Sequence, residues 1–273
     1  MSIRVCVGGA TGWTGESVVA AILESEEFEL TGAVARRAAR QTVGDVQGET
    51  DGSRVRISAD VGEALRESAD VYIDYTHPSA VYGNIICAIE AGVAAVVGTS
   101  GLTGREYGEI DEAARARGVG VIAAGNFSIT AALLKHFSGI AARHVPHWEI
   151  VDMASVAKPD APSGTAQELA EFLGTVATNE FGRPVEDTLG SREARGATIG
   201  GAQVHSLRLP SYVISVESIF GLPGERLSIR HDAGSSAEPY VGGTLLAARL
   251  APERVGLTQG LDRLLFERQA LRD

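Results

Sequence analysis

The sequence is poor in cysteine and has no long apolar run. Its two cysteines, Cys6 and Cys87, lie in apolar segments without pairing or metal-ligand spacing, and its six histidines have no metal-like spacing. We therefore expect reduced thiols and no metal site. No apolar run approaches the roughly 20 residues that cross a bilayer, and the N-terminus enters a strand pattern at once, so we expect neither a membrane partner nor a signal peptide. These absences favour a cytoplasmic protein.

Positive charge is also scarce. The 273-residue chain has 24 Lys and Arg against 35 Asp and Glu, a formal net charge of -11. Because nucleic-acid binding needs a basic surface, we expect no nucleic-acid partner, whereas a small anionic substrate needs only a local group of cations. Only Lys135 and Lys158 are lysine. That scarcity makes each lysine a candidate for a specific role, with chance retention as the alternative.

An alternation of strands and helices runs through the first 126 residues. This pattern is typical of α/β proteins, in which right-handed crossovers build a parallel sheet. Helices are predicted between buried strands at 3–8, 28–35, 70–75, 94–97 and 119–123.

After Asn126 the pattern changes to that of an α+β domain with a mixed or mostly antiparallel sheet. The C-terminal residues return to a helical pattern. The segment 176–200 reads as a long loop, a usual place for an active-site lid. The predicted elements are helices at 129–143 and 158–174, a strand at 148–153, and β-rich runs at 202–210, 212–220 and 225–232.

A glycine-rich turn follows the first strand and opens a helix. The sequence Gly9-Ala10-Thr11-Gly12-Trp13-Thr14-Gly15 lets the backbone approach a pyrophosphate at the positive end of that helix. Glycine triplets alone are weak signals, but this one has the required strand and helix on either side. A tight turn without a ligand is the alternative.

The end of the second strand indicates which dinucleotide binds. An acid there bonds the ribose hydroxyls of NADH, whereas arginine accommodates the 2′-phosphate of NADPH. Here the strand ends in Arg36 and Arg37. We therefore expect NADPH to be preferred, with NADH also possible; a solvated basic loop is the alternative. Two later segments, 98–101 and 124–127, also follow predicted strands and are candidates for cofactor contacts.

The most distinctive segment is KPDAPSGTA at 158–166. Pro162 and Ser163 can begin a helix whose free N–H groups, together with the hydroxyls of Ser163 and Thr165, form a carboxylate site. Lys158 supplies a compact cation just upstream. An ordinary capped helix start is the alternative.

Together these segments resemble the 4-hydroxy-tetrahydrodipicolinate reductase (dihydrodipicolinate reductase) family. The resemblance covers nearly the whole chain. It implies a Rossmann dinucleotide-binding domain at 1–126 and 241–273, and an α+β substrate-binding and oligomerisation domain at 127–240 in a homotetramer. The matching segments are GATGWTG (9–15), DYTHP (74–78), GTSG (98–101), NFS (126–128), KPDAPSGTA (158–166), ARGATIGGAQVHSLRLP (194–210) and IRHDAG (229–234).

The resemblance also implies roles for individual residues. A reduced nicotinamide delivers hydride to a cyclic, conjugated imine dicarboxylate. Lys158 is the proton donor, and Ser163, Gly164 and Thr165 at the helix start hold a substrate carboxylate. With Arg37 added from the strand-end argument, the candidate cofactor-binding residues are Gly9, Ala10, Thr11, Gly12, Trp13, Arg36, Arg37, Gly98, Thr99, Ser100, Ala124, Asn126 and Phe127.

One departure from the family pattern concerns the chemistry. The family normally has two adjacent histidines four and three residues before the lysine, the first proposed as acid/base and the second as a substrate ligand. This chain has Ala154 and Ser155 there. Losing a positioned general acid typically costs about 10²–10⁴ in rate. We therefore expect Lys158 to remain as a proton donor or an anion clamp, Ser155 to occupy the substrate-ligand position, and the acceptor to differ from the lysine-pathway substrate.

Smaller side chains at 154 and 155 also predict extra space and an apolar wall around Met153 and Ala154, which would suit another acceptor. His77, in the turn after a predicted strand, is a candidate replacement acid, although a turn residue is the more ordinary interpretation. His205 and His231 fall in β-rich segments and are expected to be structural. A non-catalytic NADP-binding sensor or partner protein is the alternative to a reductase.

Overall fold

A parallel sheet of seven strands organises the first of two units in the computed structural model, which describes residues 2–48, 53–66, 68–180 and 182–266. This unit comprises Met1–Ile129 and Ala237–Asp273. Its strands are β1 (Ile3–Gly8), β2 (Phe28–Val34), β3 (Ile57–Ser58), β4 (Val71–Asp74), β5 (Ala94–Val97), β6 (Gly120–Ala123) and, from the C-terminal segment, β12 (Gly256–Gln259).

The strand order β12-β6-β5-β4-β1-β2-β3 is that of a Rossmann-type sheet. Every strand pair in it is parallel, so all carboxyl ends meet at one edge. Apolar side chains of β1, β4 and β5 are buried almost completely. The helices of this unit are α1 (Trp13–Leu23), α2 (Val43–Gln47), α3 (Val61–Ala64), α4 (Pro78–Glu90), α5 (Gly104–Arg117), α8 (Glu238–Leu250) and α9 (Leu261–Phe266).

The second unit, Thr130–Ser236, is built on a mixed five-stranded sheet. Its elements are α6 (Ile129–Ala142), β7 (Trp148–Ala154), α7 (Gly164–Val176), β8 (Ala197–Ile199), β9 (Ala202–Arg208), β10 (Ile214–Leu222) and β11 (Glu225–Ala233). The strand order is β11-β10-β7-β9-β8; β7 and β9 are parallel, and the other pairs are antiparallel.

Strand alternation explains the core of this unit. Trp148 and Ile150 of β7 lie in one cluster with Leu173 of α7 and Phe220 of β10. Burying a side chain of this size contributes about 1.5–3 kcal/mol relative to leaving it exposed. The helices therefore cover one face of the sheet. The α/β class, the parallel first sheet and the mixed second sheet are all confirmed.

Three details differ from the sequence-based expectation. The C-terminal segment contains β12 as well as helices, because four residues are enough to extend a sheet edge when β6 supplies the partner. The helix expected from residue 158 begins only at Gly164. Pro159 and Pro162 lack the backbone N–H that a helical hydrogen bond requires, so they disfavour an earlier start. The segment 176–200 holds two short 3₁₀ turns and β8, which pairs with β9.

None of the helices in the described ranges is both long enough and apolar enough to cross a membrane.

Candidate functional site

The turn between β1 and α1 requires glycine at defined positions. Gly9 has φ +76°, and a Cβ there would lie 2.1 Å from the carbonyl oxygen of Tyr75. A Cβ on Gly15 would lie 2.0 Å from the carbonyl oxygen of Gly9. Gly12 caps α1 without a side chain, and Thr11, Gly12 and Trp13 are exposed. The free N–H groups of the first helical turn are therefore open to an anion, as a pyrophosphate site requires.

Arg36 and Arg37 form a 3₁₀ turn directly after β2. Both side chains are exposed, and neither has a carboxylate partner among the residues that the structure describes. The backbone here is fixed because the N–H of Ala35 donates to the carbonyl oxygen of Ser58 at 2.9 Å. Two unpaired guanidinium groups at this position suit a phosphate, which they can bind through paired hydrogen bonds.

A buried carboxylate, that of Asp74, organises the next part of the edge. Asp74 ends β4 and is 0% exposed. It accepts hydrogen bonds from Tyr72 Oη at 2.7 Å, Thr76 Oγ1 at 2.8 Å, Asn84 Nδ2 at 2.9 Å and Thr99 Oγ1 at 2.6 Å. Because its acceptor sites are satisfied by neutral donors, Asp74 ties the turns after β4 and β5 together.

The turn after β5, Gly98 to Gly101, is packed against the same strand end. The N–H groups of Gly98 and Thr99 donate to the carbonyl oxygen of Asp74 at 3.0 and 3.1 Å. A Cβ on Gly98 would lie 2.2 Å from the Tyr75 ring. Ser100 is exposed. Close packing thus explains the glycine, and Ser100 is the side chain of this turn that faces solvent.

The turn after β6 lies at the same carboxyl edge of the sheet. Asn126 Oδ1 accepts from the N–H of Ser128 at 2.8 Å. Phe127 is 2% exposed and stacks edge-on against Tyr75, with ring centroids 6.4 Å apart. Phe127 is therefore part of the core beneath the edge, and its side chain is not offered to a ligand in this structure.

All the predicted cofactor residues therefore follow the carboxyl ends of four parallel strands of one sheet. They lie after β1 (Gly9, Ala10, Thr11, Gly12, Trp13), β2 (Arg36, Arg37), β5 (Gly98, Thr99, Ser100) and β6 (Ala124, Asn126, Phe127).

In the second unit, Ser163 begins α7. Its Oγ accepts from the N–H of Ala166 at 3.4 Å and donates to Asp152 Oδ1 at 2.6 Å. Ser163 is 2% exposed. Gly164 is exposed, and a Cβ added to it would meet nothing within 4 Å. Ser163 therefore anchors the helix start, while Gly164 keeps it open.

Asp152 and Arg208 form a buried ion pair that holds the loop before α7. Asp152 is 0% exposed, and Arg208 Nη2 donates to its Oδ2 at 2.7 Å. The same Nη2 donates to the carbonyl oxygen of Asp160 at 2.7 Å. Asp152 also accepts from the N–H of Ser163 at 2.9 Å and from Ser206 Oγ at 3.1 Å. One buried pair thereby fixes both ends of the segment 160–163.

Lys158 lies in the same loop. Its Nζ contacts Asp160 Oδ1 at 2.8 Å, and the side chains are 25% and 49% exposed. The hydrogen bond from Lys158 lowers the pKa of the Asp160 carboxyl. The N–H of Lys158 donates to the carbonyl oxygen of Ser155 at 3.0 Å, which places Ser155 and Lys158 in one turn. The ammonium group and the open helix start are thus carried by a single short loop.

The extra space expected around Met153 and Ala154 is absent. Ala154 is 0% and Met153 is 3% exposed, so neither side chain lines an opening. The cause is strand pairing, since β7 lies between β9 and β10 and Ala154 pairs with Arg208 and Ile214. Ser155, just beyond the paired residues, is partly exposed.

The histidines singled out from the sequence have local partners. His77 caps α4, where its Nδ1 accepts from the N–H of Ser79 at 3.2 Å. His205 Nε2 lies 2.7 Å from Glu149 Oε2. His231 Nδ1 lies 2.9 Å from Thr130 Oγ1, and burial lowers the pKa of His231. These contacts give each ring a structural role.

Sequence reasoning missed Asp74 and Arg208 as site residues. An acid at the end of the apolar strand VYID was the available signal for Asp74. The arginine in HSLRLP was noted only as part of a motif. No group of three or more His, Cys, Asp and Glu within the described ranges is arranged to hold a metal ion.

Comparison with known proteins gives matches along the whole chain. The family model described as dihydrodipicolinate reductase, N-terminus, matches residues 3–127, and the one described as dihydrodipicolinate reductase, C-terminus, matches residues 129–265. A 4-hydroxy-tetrahydrodipicolinate reductase of Desulfitobacterium hafniense is 36% identical over 264 residues, which are 96% of this chain and 98% of the relative. One of Moorella thermoacetica is 37% identical over 266 residues, 97% and 98% of the two chains.

Comparison with solved structures gives a match to the same family. Dipicolinate-bound dihydrodipicolinate reductase from Paenisporosarcina sp. TG-14 superposes with a TM-score of 0.83 at 29% identity, covering 96% of this chain and 99% of that one. An amine dehydrogenase from Mycobacterium smegmatis gives a TM-score of 0.66 at 16% identity, covering 96% of each chain. The second likeness shows a shared fold alone.

Proposed function

The chain belongs to the dihydrodipicolinate reductase family and is an NAD(P)H-dependent oxidoreductase, and we propose that it transfers hydride to a conjugated C=N or C=C bond of a small anionic or cyclic substrate other than the lysine-pathway one. The observation that carries the proposal is the loop 158–164, where an intact ammonium and an open helix start follow Ala154 and Ser155. The anchoring parts of the site are present, and the two family histidines are not.

The first unit fits a dinucleotide. Gly9, Gly12 and the start of α1 would hold the pyrophosphate, since added Cβ atoms would fill this cradle or strain its turn. Arg36 and Arg37 would hold a 2′-phosphate, which makes NADPH the preferred cofactor and leaves NADH usable. When bound, the cofactor supplies hydride.

The second unit supplies substrate binding and the proton. A substrate carboxylate would accept hydrogen bonds from the N–H groups at Gly164 and Thr165, at the positive end of α7. Lys158 would donate a proton to the atom next to the carbon that receives hydride, which completes reduction of the double bond. Ser155 would contact a polar group of the substrate. Asp160, now paired with Lys158, would be displaced from the ammonium by the incoming anion.

The replacement of two histidines argues for a changed acceptor. An alanine cannot move a proton or donate a hydrogen bond, and Ala154 is buried in any case. Hydride transfer belongs to the cofactor and survives such a loss. The site therefore suits a substrate whose protonation depends on Lys158 alone. We also propose that the protein is cytoplasmic, in keeping with the free thiols of Cys6 and Cys87, and that it forms a homotetramer, as the family resemblance implies.

The test is NADPH oxidation by the purified protein with 4-hydroxy-tetrahydrodipicolinate and with a panel of cyclic imine and enoate carboxylates. We expect the lysine-pathway compound to be turned over about 10²–10⁴ times more slowly than the best member of the panel. Lys158→Met should abolish turnover without changing NADPH affinity, and Lys135→Met, at the other lysine, should leave both unchanged.

Rapid turnover of 4-hydroxy-tetrahydrodipicolinate, at a typical enzyme rate of about 1–10³ s⁻¹, would contradict a changed acceptor. A protein that binds NADPH and reduces nothing in the panel would instead support the sensor role, which Ala154 motivates. Turnover that persists in Lys158→Met would remove the proposed proton donor.

A further inference from the structure

A groove in the first unit is lined by arginine. It has a volume of about 860 Å³ and lies beside β2 and β3, where Thr31, Gly32, Ile57 and Ser58 form part of its wall. We call it the arginine groove. Four arginines line it among the described residues: Arg40 in the segment after β2, Arg54 and Arg56 just before β3, and Arg66 just after α3.

These arginines are exposed, and none of the four has a carboxylate partner among the residues that the structure describes. Other arginines in the chain do pair: Arg4 with Asp70 at 2.6 Å, and Arg115 with Asp111 at 2.9 Å. Unpaired like charges around one groove repel one another, so their placement has a cost unless an anion is bound.

Among the described residues that line the groove, one is acidic: Glu63, whose Oε2 accepts from Ser58 Oγ at 2.6 Å. These described lining residues, four arginines and one glutamate, carry a formal charge of +3. The whole chain carries -11. The arginine groove is therefore a local positive site on an acidic protein, and it can attract a small anion by its own field.

The backbone at Arg40 is a second, independent observation. Arg40 has φ +78° and is the one non-glycine residue with a positive φ within the described ranges. Its N–H donates to the carbonyl oxygen of Ile57 at 2.8 Å, which holds it beside the start of β3. Strained conformations of this type persist where surrounding structure enforces them, and they are concentrated at ligand sites.

We propose that the arginine groove binds a phosphate-bearing anion with two adjacent phosphate groups. Guanidinium groups bind phosphate through paired hydrogen bonds, and four of them exceed what one phosphate needs. The site is separate from Arg36 and Arg37, which do not line the groove and are assigned to the 2′-phosphate of the cofactor. A nucleoside diphosphate and free pyrophosphate share the required chemistry.

The test is isothermal titration of the full chain with pyrophosphate, ADP and 2′,5′-ADP, at low and at moderate salt. The groove variant is Arg54→Gln with Arg66→Gln. The matched control is Arg117→Gln with Arg226→Gln, which changes net charge equally at exposed arginines outside the groove. Circular dichroism establishes that both variants fold.

We expect pyrophosphate to bind the wild type and the control equally, and the groove variant at least about tenfold more weakly. NADPH should bind all three alike. Tighter binding of ADP than of pyrophosphate assigns the site to a nucleotide, and equal binding assigns it to the free anion. The proposal is overturned if no pyrophosphate binds at low salt, if the three proteins bind it equally, or if 2′,5′-ADP displaces it, because the groove would then belong to the cofactor site.

Discussion

At the residue scale, our proposal for the choice of electron donor rests on two side chains after β2. Arg36 and Arg37 are exposed and carry no carboxylate partner among the described residues. An arginine keeps its charge at every physiological pH, and its planar fork matches a phosphate. A carboxylate at the same place would repel a 2′-phosphate. We therefore propose that the positive charge here favours NADPH over NADH.

Arg36→Ala should therefore weaken NADPH and leave NADH unchanged. A hydrogen bond to a charged group contributes about 1.5–3 kcal/mol, so we expect the NADPH dissociation constant to rise at least tenfold, since about 1.4 kcal/mol is one factor of ten. Titration of nicotinamide fluorescence measures both constants. Arg117→Ala, at an exposed arginine of α5, is the control. Equal losses for NADPH and NADH would refute a 2′-phosphate role.

At the scale of an element, the loop between β7 and α7 is positioned by a residue far along the chain. Arg208 donates through one nitrogen both to Asp152 and to the backbone of Asp160. The arginine side chain is 17% exposed, and the aspartate side chain is fully buried. Breaking such a pair leaves a buried charge without a partner, at a cost of about 3–5 kcal/mol.

We predict that Arg208→Lys keeps the fold and loses activity. A lysine retains the charge but lacks the fork that reaches both acceptors, so the loop carrying Lys158 and Gly164 shifts. The kcat/KM for the acceptor should fall about tenfold or more, because small misplacements at a reacting centre are costly. NADPH affinity should stay constant.

Steady-state kinetics and NADPH titration measure the two effects of this substitution. Arg195→Lys, which keeps the charge opposite Glu149, is the control and should change neither. An unchanged kcat/KM in Arg208→Lys would show that the arginine serves stability alone.

Elements with strong local signals were predictable. The strand, glycine turn and helix at 3–23 are encoded within one stretch, and β4, β5 and β6 are short apolar runs bounded by turns. β3 has two residues and β12 has four, and both depend on a partner strand elsewhere, so periodicity gave no signal for them.

The same reasoning applies to the candidate site. The glycines and Lys158 belong to contiguous motifs. The roles of Asp74 and Arg208 arise from partners 25 and 56 residues away, Thr99 and Asp152, and only the fold brings these together.

At the scale of the whole molecule, helices of the second unit pack on one face of its sheet, and in the part of the chain that the structure describes they leave the opposite face free. Register places Val151 beside His205 and Glu217 on the free face. Leu207, on the same face, is 43% exposed. A free sheet face that carries apolar side chains is a candidate surface for self-association. We infer that copies of the chain assemble through it.

Light scattering on a sizing column should give about four times the 28.5 kDa mass of one chain. Leu207→Glu should lower that mass, because a charge is then buried at the interface. Leu189→Glu, at a leucine that is 92% exposed on the long loop, should not. A monomer of wild type at micromolar concentration would refute the assembly.

The strand β12 has a consequence for biosynthesis. It is the edge partner of β6, although more than 130 residues separate the two in the chain. During translation, the stretch 130–236 leaves the ribosome as one continuous piece before that partner exists. The second unit can therefore complete its sheet on the nascent chain. In the sheet of the first unit, β6 has no partner on its β12 side until synthesis is nearly complete. Nascent chains halted before residue 256 would therefore contain a folded second unit and a first unit whose sheet still lacks β12.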